Sequence, residues 1–185
     1  ITKEPPPETV PMFKQTAAIL LLTLASACAS SRNLDESVTD IGADSELKAV
    51  LFADRKHDYG DVDLTVYEGR LLLTGTMRSQ EGRQRLIENA WKAGGVDRVI
   101  DEIVIGDKTS FGQGVEDARI ETALRSKLVF EGGVKSSNYK IAVSNGVVYL
   151  LGATLSERSL NEVLQLARST GGVEKVVSHV LVKAL

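Results

Sequence analysis

Two histidines, three closely spaced aspartates and the repeated pairs Gly94-Gly95 and Gly171-Gly172 are the residues here whose types suggest catalysis or ligand binding. His57 lies in a charged stretch and His179 in an alternating apolar one, 122 positions apart, and two isolated histidines cannot make a three- or four-ligand metal site. Asp58, Asp61 and Asp63 have the carboxylates that calcium prefers, yet the later glutamate of a dedicated calcium loop is missing, so a solvated strand edge is expected. Gly94-Gly95 could be imagined to cradle a phosphate. It closes a helical pattern and leads into a strand pattern, the reverse of the strand-to-helix order such a cradle needs. No nucleophile and base stand out together, so neither an enzyme nor a bound metal or cofactor is expected. The formal net charge is −3 and the basic residues are scattered, which argues against a nucleic-acid partner.

Cys28, the only cysteine, offers a different chemistry. It closes the uncharged apolar run 17–27, which has the length of a signal-peptide core and falls short of the roughly 20 residues that cross a bilayer. Met12 and Lys14 stand just before that run, so translation is expected to begin at Met12 and residues 1–28 to form a leader. Leu24-Ala25-Ser26-Ala27-Cys28 resembles a lipobox, in which the cysteine thiol receives a diacylglycerol after cleavage. Ala25 departs from the aliphatic residue usual there, and Ala25-Ser26-Ala27 equally suits ordinary signal peptidase. A lipid anchor at Cys28 and a soluble periplasmic chain with an incidental thiol therefore both stand. Ala29 in place of Asp favours the outer membrane for the anchored form, with 29–39 as a tether.

The remainder of the chain is one pattern written twice. Gly69-Arg-Leu-Leu-Leu-Thr-Gly75 returns as Gly146-Val-Val-Tyr-Leu-Leu-Gly152, and Gly94-Gly95-Val96 returns as Gly171-Gly172-Val173, all at an offset of 77 residues. His57 and His179 align with Val134 and Glu102, so neither histidine belongs to a duplicated site. The copies differ in charge. Residues 40–105 carry 9 Lys and Arg against 13 Asp and Glu, a balance of −4, whereas 117–182 carry 8 against 6, a balance of +2.

Each copy opens on apolar residues at helical spacing: Ala43, Leu47, Val50 and Leu51, then Ile120, Leu124 and Leu128. Alternation at Val62, Leu64 and Val66, and at Tyr139, Ile141 and Val143, predicts a half-buried strand. Glu68-Gly69 and Asn145-Gly146 supply hairpin turns into a more apolar, central strand. Ser79 and Ser156 are N-caps for a second helix, and the Gly-Gly pairs end it before a last strand. The expected fold class is α+β: a three-stranded mixed sheet with two helices on one face, twice, over 40–105 and 117–183, with 106–116 as linker. Trp91 is expected at a core edge or between the domains.

The hairpin ending Leu73-Thr74-Gly75, varied to Leu150-Leu151-Gly152, and the Gly95-Val96 and Gly172-Val173 that enter the last strands resemble the BON domain, a small αββαβ module. The resemblance covers about 130 of the 185 residues. With Gly69, Gly75, Gly95, Gly146, Gly152 and Gly172 as scaffold glycines and a leader ending in cysteine, the chain is similar to dual-BON envelope lipoproteins. That resemblance implies a non-enzymatic, lipid-anchored outer-membrane protein on the periplasmic face, which binds anionic phospholipid through the second domain and supports envelope integrity and stress resistance. The alternative it implies is a soluble periplasmic osmotic-stress or chaperone-type binding protein. Charge sign points to the second copy for the membrane contact, with Arg125, Phe130, Val134 and Lys135 joining basic and apolar groups in one short segment.

Overall fold

The computed structural model describes residues 45–49 and 56–183, so Cys28, the leader and the tether lie outside the described residues. Residues 45–49 are helical and bury Leu47 completely. Strands β1 (Val62–Tyr67) and β2 (Arg70–Met77), helix α1 (Gln80–Ala90) and strand β3 (Arg98–Ile105) follow. The second copy runs through α2 (Phe111–Phe130), a 3-10 turn at Ser136–Asn138, β4 (Tyr139–Ser144), β5 (Val147–Thr154), α3 (Glu157–Arg168) and β6 (Lys175–Val182). Each sheet is mixed: β2 pairs antiparallel with β1 and parallel with β3, and β5 does the same with β4 and β6. This is the expected α+β fold, a duplicated αββαβ unit.

Local chemistry accounts for these elements. Glu68, Gly69, Asn145 and Gly146 all lie at positive φ, 49° to 75°, the left-handed pair that a two-residue hairpin turn needs. Asp117 of α2 braces the second turn, its carboxylate accepting the Asn145 and Gly146 N–H groups at 2.8 and 2.9 Å. Gly75 and Gly152 are needed for space, because a Cβ at either would strike the carbonyl oxygen of Asp61 or Asn138 just ahead of β1 or β4. Ser79 and Ser156 cap α1 and α3 by accepting the N–H of Gly82 and Ser159.

The first core gathers Leu47, Leu71, Leu73, Leu86 and Ile103 between sheet and helices. In the second copy Ile120, Leu124, Leu128, Leu150 and Val163 do so. A third apolar cluster joins the copies: Tyr67 and Leu72 from the outer face of one sheet pack with Ala142, Tyr149, Leu151 and Ala153 from the outer face of the other. The layers are therefore helix, sheet, sheet, helix, and the reading of two units with separate cores is incomplete. Helix α2 begins within the expected linker 106–116, at Phe111, because Ser110 caps the helix by accepting the Gln113 N–H, which offsets part of the cost of about 1 kcal/mol for each of Gly112 and Gly114.

Polar contacts across the interface follow a near two-fold pattern. His179 Nε2 lies 2.9 Å from Glu102 Oε1, and these two residues are 77 apart, so equivalent positions face one another. Glu68 in the first turn reaches Lys183 beyond β6, and its equivalent, Asn145, donates to Thr76 near the end of β2. Buried Arg70 donates to the Gly152 and His179 carbonyls at 2.7 and 2.8 Å. Leu72→Ala and Leu151→Ala are each expected to cost about 2–5 kcal/mol, as for other fully buried leucines. Urea unfolding monitored by amide exchange should show protection falling in both copies from either substitution; loss confined to the mutated copy would contradict a shared core.

Candidate membrane-binding surface

The four residues expected at the membrane occupy the second half of α2 and the turn after it. Along the helix Thr122, Arg125, Ser126, Val129 and Phe130 form the exposed arc, while Leu124 and Leu128 point into the core. Phe130 is 87% exposed and Val129 62%, an adjacent apolar pair at the helix end. Arg125 is not a free cation, since its Nη2 lies 2.5 Å from Glu121 Oε1 one turn earlier. An exposed pair of this kind contributes at most about 1 kcal/mol to stability, but the carboxylate beside it offsets the positive charge Arg125 would offer an anionic surface. Lys127 is committed as well, donating to the Ser169 carbonyl and Thr170 Oγ1 at the end of α3.

After the cap residue Glu131, Gly132 and Gly133 turn the chain inward. Val134 is thereby half-buried against the second core, so it supports the site from below and does not face outward. Lys135 beside it is exposed, with no ion pair among the described residues. The structure thus brings Phe130 and Lys135 to one end of the second repeat and adds Val129, which sequence reasoning missed. Its signal was an apolar Val-Phe pair standing immediately before Glu-Gly-Gly. In the first repeat the corresponding charges are engaged, with Lys56 on Glu81 at 2.7 Å and Asp58 on Lys108 at 2.8 Å.

The other candidates do not converge on one centre. His57 stacks edge-on to Tyr59 with ring centroids 6.2 Å apart, and His179 sits in the inter-repeat interface. The Lys108 hydrogen bond, with the Gly60 N–H, holds Asp58 below the usual carboxylate range. Asp61 accepts the Thr109 N–H at 2.8 Å. Asp63 is exposed as a whole residue, but partial desolvation of its carboxyl, and then the charge of Glu121, push it up, against the opposing charge of Lys48. Among the described residues no group of three or more His, Cys, Asp or Glu is placed to hold a metal ion. Trp91 is 54% exposed just past α1, outside both cores and the interface cluster. No helix among the described residues is long and apolar enough to cross a membrane.

A duplicated αββαβ scaffold, with its sheets closed against each other and an apolar tip on one outer helix, defines a tandem α+β module. The BON domain profile matches residues 39–107 and 116–184, and the chain belongs to the BON-domain family. Among curated proteins it is 34% identical over 126 residues to an uncharacterised protein from the gshII 5′ region of Anaplasma centrale, covering 68% of this chain and 83% of that one. It is 31% identical to the outer membrane lipoprotein DolP of Haemophilus influenzae, over 64% of this chain and 61% of that protein. The 21 kDa hemolysin of Actinobacillus pleuropneumoniae is 35% identical, over 63% and 59%. The match thus spans about three-fifths of the length of the latter two relatives. Of solved structures, CdsD of the Chlamydia trachomatis type III secretion system overlaps 76% of the chain at 14% identity with a TM-score of 0.35, too loosely to add to the argument.

The Asp63 environment makes a pH prediction. A carboxyl whose folded pKa is raised favours the folded state fully below its unfolded value, here 3.8, and loses that contribution as pH rises through the folded value. Asp63→Asn removes the cost of ionisation, so the variant should be more stable than the parent at pH 7. The gap should close toward pH 3.8. Thermal melts at several pH values check this, and a variant less stable than the parent at pH 7 would contradict it.

Proposed function

We propose that the protein is a non-enzymatic lipoprotein of the bacterial envelope, anchored through Cys28 at the periplasmic face of the outer membrane, whose second BON repeat binds anionic phospholipid. The observation that carries the surface assignment is Phe130, 87% exposed at the end of α2 with Val129 beside it. Transferring a phenylalanine side chain from water into an apolar phase contributes about 1.5–3 kcal/mol, against about 1 kcal/mol for a lysine near an anionic surface. The apolar pair therefore supplies most of the affinity, and Lys135 supplies the preference for negative headgroups. Weak contacts of this size become durable when a lipid chain already holds the protein at the surface. The similarity to a relative named outer membrane lipoprotein DolP supports the envelope setting and, by extension, a role in envelope integrity and stress resistance.

Because the repeats share a core, the test uses the whole chain. Co-sedimentation with phosphatidylglycerol vesicles should fall several-fold for Phe130→Ser and become less salt-sensitive for Lys135→Glu. Arg125→Glu should have the smaller effect, since Arg125 is already paired. Unchanged binding by Phe130→Ser would remove the assignment. For the anchor, mass spectrometry of the mature N-terminus should find diacylglycerol on Cys28, and Cys28→Ser should release the protein from membranes; an unmodified thiol on a soluble mature chain would instead support the soluble periplasmic reading.

A further inference from the structure

The first half of α2 carries a second apolar stripe that the repeat-two core does not use. Phe111, Val115 and Ala118 follow helical spacing and line a groove of about 710 Å³, whose opposite wall is Val62 and Asp63 on the β1 edge of repeat one. Phe111 is 90% exposed and Val115 56%, so this apolar surface is left to water. A volume of that size at a junction between domains is typical of ligand sites, which span about 300–1,000 Å³.

The charge lining the groove is of one sign. Its ionisable residues are Asp61, Asp63, Asp117 and Glu121. Asp61 and Asp117 are occupied with backbone N–H groups, and Glu121 pairs along the helix with Arg125. Asp63 faces Glu121 from the opposite wall, and their mutual repulsion helps to push its pKa up, with Lys48 the opposing cation. An incoming positive group would relieve that repulsion. Anionic lipid headgroups would meet the same carboxylates and be repelled, which separates this groove from the Phe130 end of the helix.

We propose that this groove docks a basic, apolar-anchored polypeptide segment of a partner protein, with a large apolar side chain seated against Phe111 and Val115 and a Lys or Arg beside Asp63 and Glu121. Asp61 and Asp63 come from repeat one, and the stripe with Asp117 and Glu121 from repeat two, so the site exists only when the two are packed together.

The test is an amide-spectrum titration of the full chain with a synthetic peptide alternating lysine with phenylalanine and leucine, and with its glutamate counterpart. The lysine peptide should shift the amides of Asp63, Gly75 and Gly114 saturably, and more weakly at high salt. Asp63→Lys and Val115→Asp, both at exposed positions, should each weaken binding by about tenfold or more, which is 1.4 kcal/mol per decade. Their unliganded spectra report whether the fold is kept. Equal affinity in these variants with the fold intact, shifts confined to Val129–Lys135, equal binding of the glutamate peptide, or shielding of the groove by phosphatidylglycerol vesicles and not by the lysine peptide would each overturn the proposal.

Discussion

Burial of β2 and β5 on both faces is the constraint from which the rest of the structure follows. Leu71 and Leu73 point into the first core while Leu72 between them is closed off by the second repeat. Val148 and Leu150 do the same in the second core while Tyr149 and Leu151 face the first repeat. A strand apolar on both sides cannot end at water, so each three-stranded sheet needs a cover on its outer face, and the other repeat is that cover. Once the outer faces are used in this way, they are no longer available for binding. What remains exposed is the outer surfaces of the helices, the edges of the sheets and the loops at their ends.

The near two-fold packing also explains where the copies have diverged. Residues related by the repeat lie opposite one another near the axis, and a pair of identical charges there would repel at contact distance. Glu102 faces His179 and not a second glutamate, so a hydrogen bond stands where two carboxylates would otherwise meet. Arg70 fills the interface from one side only; its equivalent is Val147, which leaves room for the guanidinium to reach the Gly152 and His179 carbonyls. Leu151, where the first copy has Thr74, is likewise an interface residue and adds apolar surface to the shared cluster. The departure from the Leu-Thr-Gly pattern thus lies on the face that only the second repeat's packing explains.

Helix α2 concentrates the functional differences. It runs 20 residues and contributes one stripe to its own core, one to the groove against repeat one, and an exposed apolar pair at its far end. Acidic groups line the groove, whereas the tip carries the exposed Lys135 together with Glu131 directly after Phe130 and Glu162 beside Gly133. One helix can therefore present two chemically distinct surfaces, because they lie toward its opposite ends: Ala118 and Val129 share a face but stand about 16 Å apart along the axis at 1.5 Å per residue.

Much of this fold was legible from the order of residues. Strand alternation, positive-φ turn pairs at Glu68-Gly69 and Asn145-Gly146, serine caps and helix-ending glycines are all local preferences, acting over a few residues and therefore readable along the chain. The unbroken apolar runs Leu71-Leu72-Leu73 and Val147 to Leu151 also announced burial on two faces, though they were read only as central strands. The start of α2 was less legible, since Gly112 and Gly114 argue against a helix that the Ser110 cap nonetheless begins. At the candidate site, sequence alone named Phe130 and Lys135 but could not separate Val134, turned inward by the glycines before it, from the exposed Val129. Neither could net charge reveal that Arg125 and Lys127 are already engaged. The sequence by itself determined two αββαβ units and their turns, because those rest on short-range backbone chemistry; only the tertiary structure decided that the sheets close on each other, which side chains face water and where the groove lies, because these depend on residues far apart in the chain meeting in space, as Asp63 and Glu121 or Glu68 and Lys183 do.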